Sequence, residues 1–275
     1  MKSIIIPLFC VCLCLCGCAT EFNRVYKTTD YAYKYEYAKE CFARGQYNRA
    51  VVLLQDLVTI QKGSDNAEEC LYMLGMALYG DKDYENAAST FRKYCSSYPK
   101  GLYAEQASFH IGQSLYQSTP EPRLDQTATV GAIAAYQQFL DYYPGSKQRS
   151  LAQSRLFELQ DKLVFKELLS ARLYYNLGGY FSNCIGGGSN YEACIVTSQN
   201  ALKTYPFSNL REEFAVLIMK SKFELAQQSV EEKKMDRYRD AEDECYGFLN
   251  EYPESNSAAL ANQYIKKCKK IIGKN

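Results

Sequence analysis

A chain of 275 residues with 47% hydrophobic and 23% charged residues suits one large or two ordinary domains and excludes wholesale disorder. Against 31 acidic side chains stand 32 basic ones, a net charge of +1 that argues against holding nucleic acid by phosphate neutralisation. The single histidine, His110, excludes a multi-histidine metal site, and 25 tyrosines with no tryptophan point to helix seams rather than to catalysis.

The chain opens on Lys2 followed by an apolar stretch from Ile4 to Leu15, too short to span a bilayer of roughly 30 Å and suited to a signal-peptide core. Five cysteines, at 10, 12, 14, 16 and 18, fall in the first eighteen residues. It ends in Leu15-Cys16-Gly17-Cys18, which resembles the bacterial lipobox, with an aliphatic residue three before a cysteine and two small residues between. That resemblance implies cleavage after residue 17, a diacylglycerol on the Cys18 thiol and an acyl chain such as palmitate on its amine. An ordinary cleaved signal or an uncleaved anchor is the alternative. Several acyl chains, at about 0.8 kcal/mol per buried CH₂, hold a protein firmly on a membrane. The expected division is therefore a leader over 1–17, a lipidated tether over 18–30, and repeats beyond.

Seven cysteines remain, at 41, 70, 95, 184, 194, 245 and 268, with no C-x-x-C pair. Most sit at apolar positions of expected helices, where a thiol behaves as a small hydrophobe. Cys184 and Cys194 flank Gly186-Gly187-Gly188 and could close a loop disulfide in an oxidising compartment.

Internal repetition sets the fold. Tyr84, Ala87, Phe91, Tyr94 and Tyr98-Pro99 recur as Tyr238, Ala241, Cys245, Phe248 and Tyr252-Pro253, at offsets 0, 3, 7, 10, 14 and 15. A third copy carries Ala132, Tyr136, Phe139 and Tyr143-Pro144, and a fourth Tyr191, Cys194, Ser198, Ala201 and Tyr205-Pro206. The first copy has Tyr47, Ala50, Leu54 and Leu57, with Gln61-Lys62 in place of Tyr-Pro. Offsets of 3, 7 and 10 line one face of a helix, and the proline stops it. Ahead of each such helix a small residue allows a second helix to approach: Ala38, Gly75, Gly112, Gly178 and Ala226. This pattern resembles the tetratricopeptide (TPR) repeat and implies an all-α superhelix of about five helical hairpins. Ser146, Ser208 and Ser255, each two residues after a proline, are placed to accept from the first free amides of the next helix. The expected layout is repeats 1–3 over 31–149, then a linking helix, read over 150–175, and repeats 4–5 within 150–275. Inserts around 118–127 and 186–190 interrupt repeats three and four and are candidate partner contacts.

No Walker loop, nucleophile elbow, zincin motif or EF-hand loop appears, so no catalytic residue, metal ligand or non-covalent cofactor is expected. His110, between Phe109 and Ile111, reads as a packed histidine. Glu68-Glu69 and Glu212-Glu213 read as carboxylates favouring helix starts. Lys266, Lys267, Lys269 and Lys270 read as a solvated helix face, with a phospholipid or partner contact as the alternative.

Together with the lipobox and the five repeats, Lys82-Asp83-Tyr84-Glu85, Tyr98-Pro99-Lys100-Gly101, Pro122-Arg123-Leu124-Asp125-Gln126-Thr127, Asp161-Lys162-Leu163 and Asn250-Glu251-Tyr252-Pro253 resemble the BamD family of Bacteroidetes-type bacteria. The family comprises TPR lipoproteins of the outer-membrane β-barrel assembly machinery. The resemblance implies a non-enzymatic protein on the inner leaflet of the outer membrane, facing the periplasm. It further implies contact with the POTRA domains of BamA and reception of unfolded outer-membrane proteins. Arg211, Glu212 and Glu213 are candidate BamA contacts. Tyr33, Tyr37, Tyr72 and Tyr79 are candidate linings of a substrate groove, with seam packing between hairpins as the alternative. A TPR scaffold for other envelope machinery and a glycan-binding TPR lipoprotein are the competing classes. The first would be favoured by a heptad segment and the second by tryptophan platforms.

Overall fold

The computed structural model describes residues 21–178 and 189–273, so Cys18, Cys184 and the insert glycines 186–188 lie outside the described residues. Those residues form helices joined by short turns, with no strand among them. A helix over described residues 21–26 (α1) is followed by α2 (Tyr31–Ala43), α3 (Tyr47–Ile60), α4 (Ala67–Gly80), α5 (Tyr84–Ser97), α6 (Ala104–Ser118) and α7 (Thr127–Tyr142). Then come α8 (Arg149–Leu177), α9 (Asn190–Thr204), α10 (Arg211–Gln227), α11 (Glu231–Glu251) and α12 (Ala258–Ile272). The chain divides into two compact units, one comprising Met1–Pro120 with Gln126–Leu159 and the other Glu121–Asp125 with Gln160–Asn275. The boundary falls within α8, so the helix expected over 150–175 is continuous across it.

The repeat offsets are the core. Ala50, Leu54, Leu57, Ala87, Phe91, Tyr94, Ala132, Tyr136 and Phe139 are fully buried in the first unit. Cys194, Ser198, Ala201, Ala241, Cys245 and Phe248 are buried in the second. The small residues ahead of them admit that packing. A Cβ on Gly75 would stand 2.6 Å from the Phe91 ring, and one on Gly112 would stand 2.8 Å from Tyr136. Ala38 and Ala226 are fully buried at the same kind of position. Gly178 departs from this pattern. It lies just after α8 at φ +29 rather than inside a helix, and it lets the chain turn against the Tyr191 side chain.

Helix ends follow from the local sequence. Tyr98, Tyr143, Tyr205 and Tyr252 are the C-caps of α5, α7, α9 and α11, each with an extended φ that the following proline requires. Ser146, Ser208 and Ser255 do not cap the helices that follow: they accept from the amides of Gln148, Leu210 and Ser257, each one residue ahead of its helix, at 3.1, 3.1 and 2.9 Å, and so shape the loop instead. The hairpins α2/α3, α4/α5, α6/α7 and α10/α11 pack in sequence, and α12 packs against α11. The end of α8 joins α9 through the cluster of Val164, Leu168, Ala171, Cys194 and Ala201.

Candidate interaction surfaces

The tyrosines singled out in the sequence occupy different environments. Tyr33 on α2 is 41% exposed, its hydroxyl accepting from Arg24 of α1 at 3.5 Å. Tyr37, one turn on, has its ring centroid 6.5 Å from that of Tyr33 but is itself only 8% exposed, and burial raises its phenol pKa. Tyr72 on α4 stacks on Tyr103 at 4.4 Å and meets Phe91 and Tyr94 at 5.9 Å, a seam contact between successive hairpins. Tyr79, two turns further along α4, packs edge-on against Tyr84 and His110 and accepts from Gln113 at 3.4 Å. Tyr72 and Tyr79 are joined through Phe91, whose ring stacks on His110 at 5.3 Å. Of the four, Tyr33 alone is exposed, while Tyr72 and Tyr79 are half-buried and Tyr37 is buried.

Arg211, Glu212 and Glu213 at the start of α10 are all engaged within the second unit. Arg211 donates to Glu251 at 3.0 Å and to the Pro206 carbonyl at 3.2 Å. Glu212 accepts from the Ser255 hydroxyl at 2.6 Å, and Glu213 pairs with Arg172 of α8. The Glu212 contact is one rung of a recurring device. Glu105 accepts from Ser146 at 2.6 Å, and Glu68 accepts from the Leu102 amide at 2.6 Å and from the Tyr94 hydroxyl. The first-turn carboxylate of one hairpin thus holds the loop that begins the next. The helix dipole favours a carboxylate there, and the loop donor supplies a directed partner. Sequence reasoning saw the dipole and missed the rung, because the donor lies more than thirty positions away.

Two clefts add to these surfaces, one of them at the repeat-three insert. In the first unit, α5, α6 and α7 enclose a cleft of about 540 Å³ bordered by Arg92, Cys95, Ile111 and Gln138. It shares Cys95, Ile111 and Gln138 with a neighbouring recess of about 290 Å³ that reaches Pro99 and Tyr142. In the second unit, Pro122 and Arg123 of the repeat-three insert face Lys166, Leu169, Arg172 and Leu173 of α8 across about 490 Å³. Lys166 holds the insert by donating to the Leu124 carbonyl at 3.2 Å. The signal for this cleft was the insert itself, whose prolines forbid a helix.

The four lysines near the end of α12 are exposed, and two of them cover aromatic rings: Lys267 lies 5.4 Å from the Phe223 centroid and Lys269 lies 5.5 Å from that of Tyr246. Cys194 is fully buried, while a pairing with Cys184 falls outside the described residues. Among the described residues there is no cluster of three metal-ligating side chains, and no helix is long and apolar enough to cross a membrane.

Residues 28–185 match the YfiO family, described as an outer membrane lipoprotein. Outer membrane protein assembly factor BamD of Caulobacter vibrioides is 25% identical over 135 residues, 49% of this chain and 44% of that protein. A putative outer membrane protein assembly factor BamD of Aquifex aeolicus is 30% identical over 136 residues, 50% of this chain and 43% of that protein. The matched region thus spans less than half the length of these relatives. Among solved structures, the TPR2AB domain of yeast Sti1 in complex with pHSP90 aligns with a TM-score of 0.37 at 14% identity, covering 87% of this chain and 98% of that one.

Proposed function

This chain belongs to the YfiO family of outer membrane lipoproteins, the BamD type, and from that membership we propose that it is a non-enzymatic assembly factor for outer-membrane β-barrel proteins. The match over residues 28–185 carries the proposal, since it runs through the first three hairpins and on past α8. In this proposal Cys18 carries diacylglycerol and an N-linked acyl chain that hold the protein on the inner leaflet of the outer membrane, facing the periplasm. Hairpin arrays offer ridged helical surfaces to extended or helical partners, and aromatic side chains give large contacts at low entropy cost. The partners are the POTRA domains of BamA and unfolded β-barrel chains, whose strands alternate apolar and polar residues and end near aromatic girdles. Tyr33 is the best placed of the four tyrosines to meet such a chain, because it is open to solvent. Arg211, Glu212 and Glu213 contact BamA in this proposal only with their outward edges, since each is also held within the chain.

Affinity purification of the acylated protein from envelopes tests the proposal. BamA should co-purify, and a photo-crosslinker at position 33 should capture unfolded barrel proteins. Recovery of the folded, acylated protein without BamA would overturn the assembly role.

A further inference from the structure

We infer that the first hairpin rests against lipid headgroups through the exposed edge formed by Tyr26 and Tyr31, so that the anchor orients the repeats as well as retaining them. The inference rests on the proposed acylation of Cys18. Three residue steps separate Cys18 from Glu21 at the start of the described part of α1. Whatever their conformation, they reach at most roughly 11 Å. Helix α1 adds no slack, because it is fixed to the first hairpin: Val25 is fully buried, and the Arg49 guanidinium lies 5.6 Å from the Phe22 centroid. The headgroup layer of one leaflet is roughly 5–8 Å deep. Acyl chains at Cys18 therefore bring α1 into that layer or against it.

The edge presented there has the chemistry of a membrane interface. Tyr26 and Tyr31 are 48% and 38% exposed, and both ring centroids lie 5.8 Å from the Lys34 ammonium. That ammonium is buried and paired with Asp56 at 2.6 Å, so the rings flank a satisfied charge and can enter the interface without carrying an unpaired ion. Tyrosine suits this depth because its ring is apolar and its hydroxyl is polar. Exposed Lys27 beside Tyr26 and exposed Asp30 beside Tyr31 add one charge of each sign. Because the edge is mainly aromatic, zwitterionic lipid suffices.

The absence of tryptophan from the chain makes a clean test. Acylated full-length protein carrying Tyr26→Trp or Tyr31→Trp is placed on phosphatidylcholine vesicles with brominated acyl chains. Tyr142→Trp, at a side chain 69% exposed on α7, serves as the reference. Iodide quenching of each variant is compared with that of its own Cys18→Ser form in solution. The two edge variants should be shifted to the blue, quenched by the brominated lipid and protected from iodide several-fold, with Tyr142→Trp unchanged. If the acylated protein co-floats with the vesicles while the edge variants stay as open to iodide as they are in solution, the inference fails and acylation stands. If the native chain does not float, acylation fails and the inference falls with it.

Discussion

At the residue scale, His110 illustrates what a hairpin seam does to a polar side chain. Its ring stacks on Phe91 and meets Tyr79 and Phe109 edge-on, and its Nδ1 is sealed with no hydrogen-bond partner among the described residues. Burial holds its pKa down to about 4, against an ordinary value of 6.5. The unfolded chain therefore binds a proton that the folded chain refuses. This contribution to stability is complete above about pH 6.5 and is lost as the pH falls toward 4, by roughly 3 kcal/mol. His110→Phe should flatten that part of the stability–pH curve in denaturant titrations, and an unaltered slope would show that the histidine is solvated. The tyrosines divide by the same logic. Tyr33→Ser should change stability by no more than about 0.5 kcal/mol, whereas Tyr37→Ser and Tyr72→Ser should each cost about 3 kcal/mol, as loss of packed aromatic bulk does. Thermal melts beside each crosslinking experiment check this, and equal melts for all three would contradict the burial pattern.

At the element scale, one helical face is repeated five times and one loop contact three times. The offsets 3, 7 and 10 bury the second helix of each hairpin, against a small residue of the partner helix at Ala38, Gly75, Gly112 and Ala226 but not in repeat four, so size rather than polarity alone is selected at those four positions. Ala87→Glu and Ala241→Glu would each place a carboxylate where neither water nor a cation can reach it. A loss of several kcal/mol is expected, readable as a lowered melting temperature. Wild-type melting of either variant would mean that the hairpin phase is misread. The carboxylate rungs are smaller in effect and graded. Glu212→Ala removes one acceptor from Ser255 and should cost about 1 kcal/mol, while Glu68→Ala frees two donors, Leu102 N–H and Tyr94 O–H, and should cost about twice that. A reversed order in urea titrations would show that the rungs are not what fixes the loops.

At the scale of the whole molecule, the acylation proposed at Cys18 lies outside the described residues that form the helices. The described helices bury their apolar faces against one another, and none could hold the chain in a bilayer by spanning it. Membrane retention in the proposed function therefore falls on the acyl chains of Cys18. Cys18→Ser should shift the protein from the membrane to the soluble fraction while its melting stays that of the repeats. Sedimentation with membranes after a high-salt wash, in cells lacking BamA, would show that another feature holds it. The family match covers residues 28–185, so the lipobox at 15–18 and the Asn250-Glu251-Tyr252-Pro253 phrase lie outside it, while the phrases at 82–85, 98–101, 122–127 and 161–163 lie inside.

Sequence alone determined the helical class, the buried face of the second helix in all five repeats and the proline-stopped helix ends. Each of these is a short-range property, written in spacings of three to fifteen residues and in the fixed φ of proline. Family membership was legible for the same reason, since motifs such as Lys82-Asp83-Tyr84-Glu85 are contiguous. The tertiary structure decided which tyrosines are open and which are covered, since Tyr33 and Tyr37 sit one turn apart on the same helix and yet one is exposed and the other buried. It also decided that Arg211, Glu212 and Glu213 are tied to Glu251, Ser255 and Arg172, partners some forty residues distant. Gly178 ends a helix instead of lining one, and the seam around His110 is assembled from three helices. Periodicity tells a helix which face to bury; only the neighbour that arrives determines how completely each residue of that face is covered.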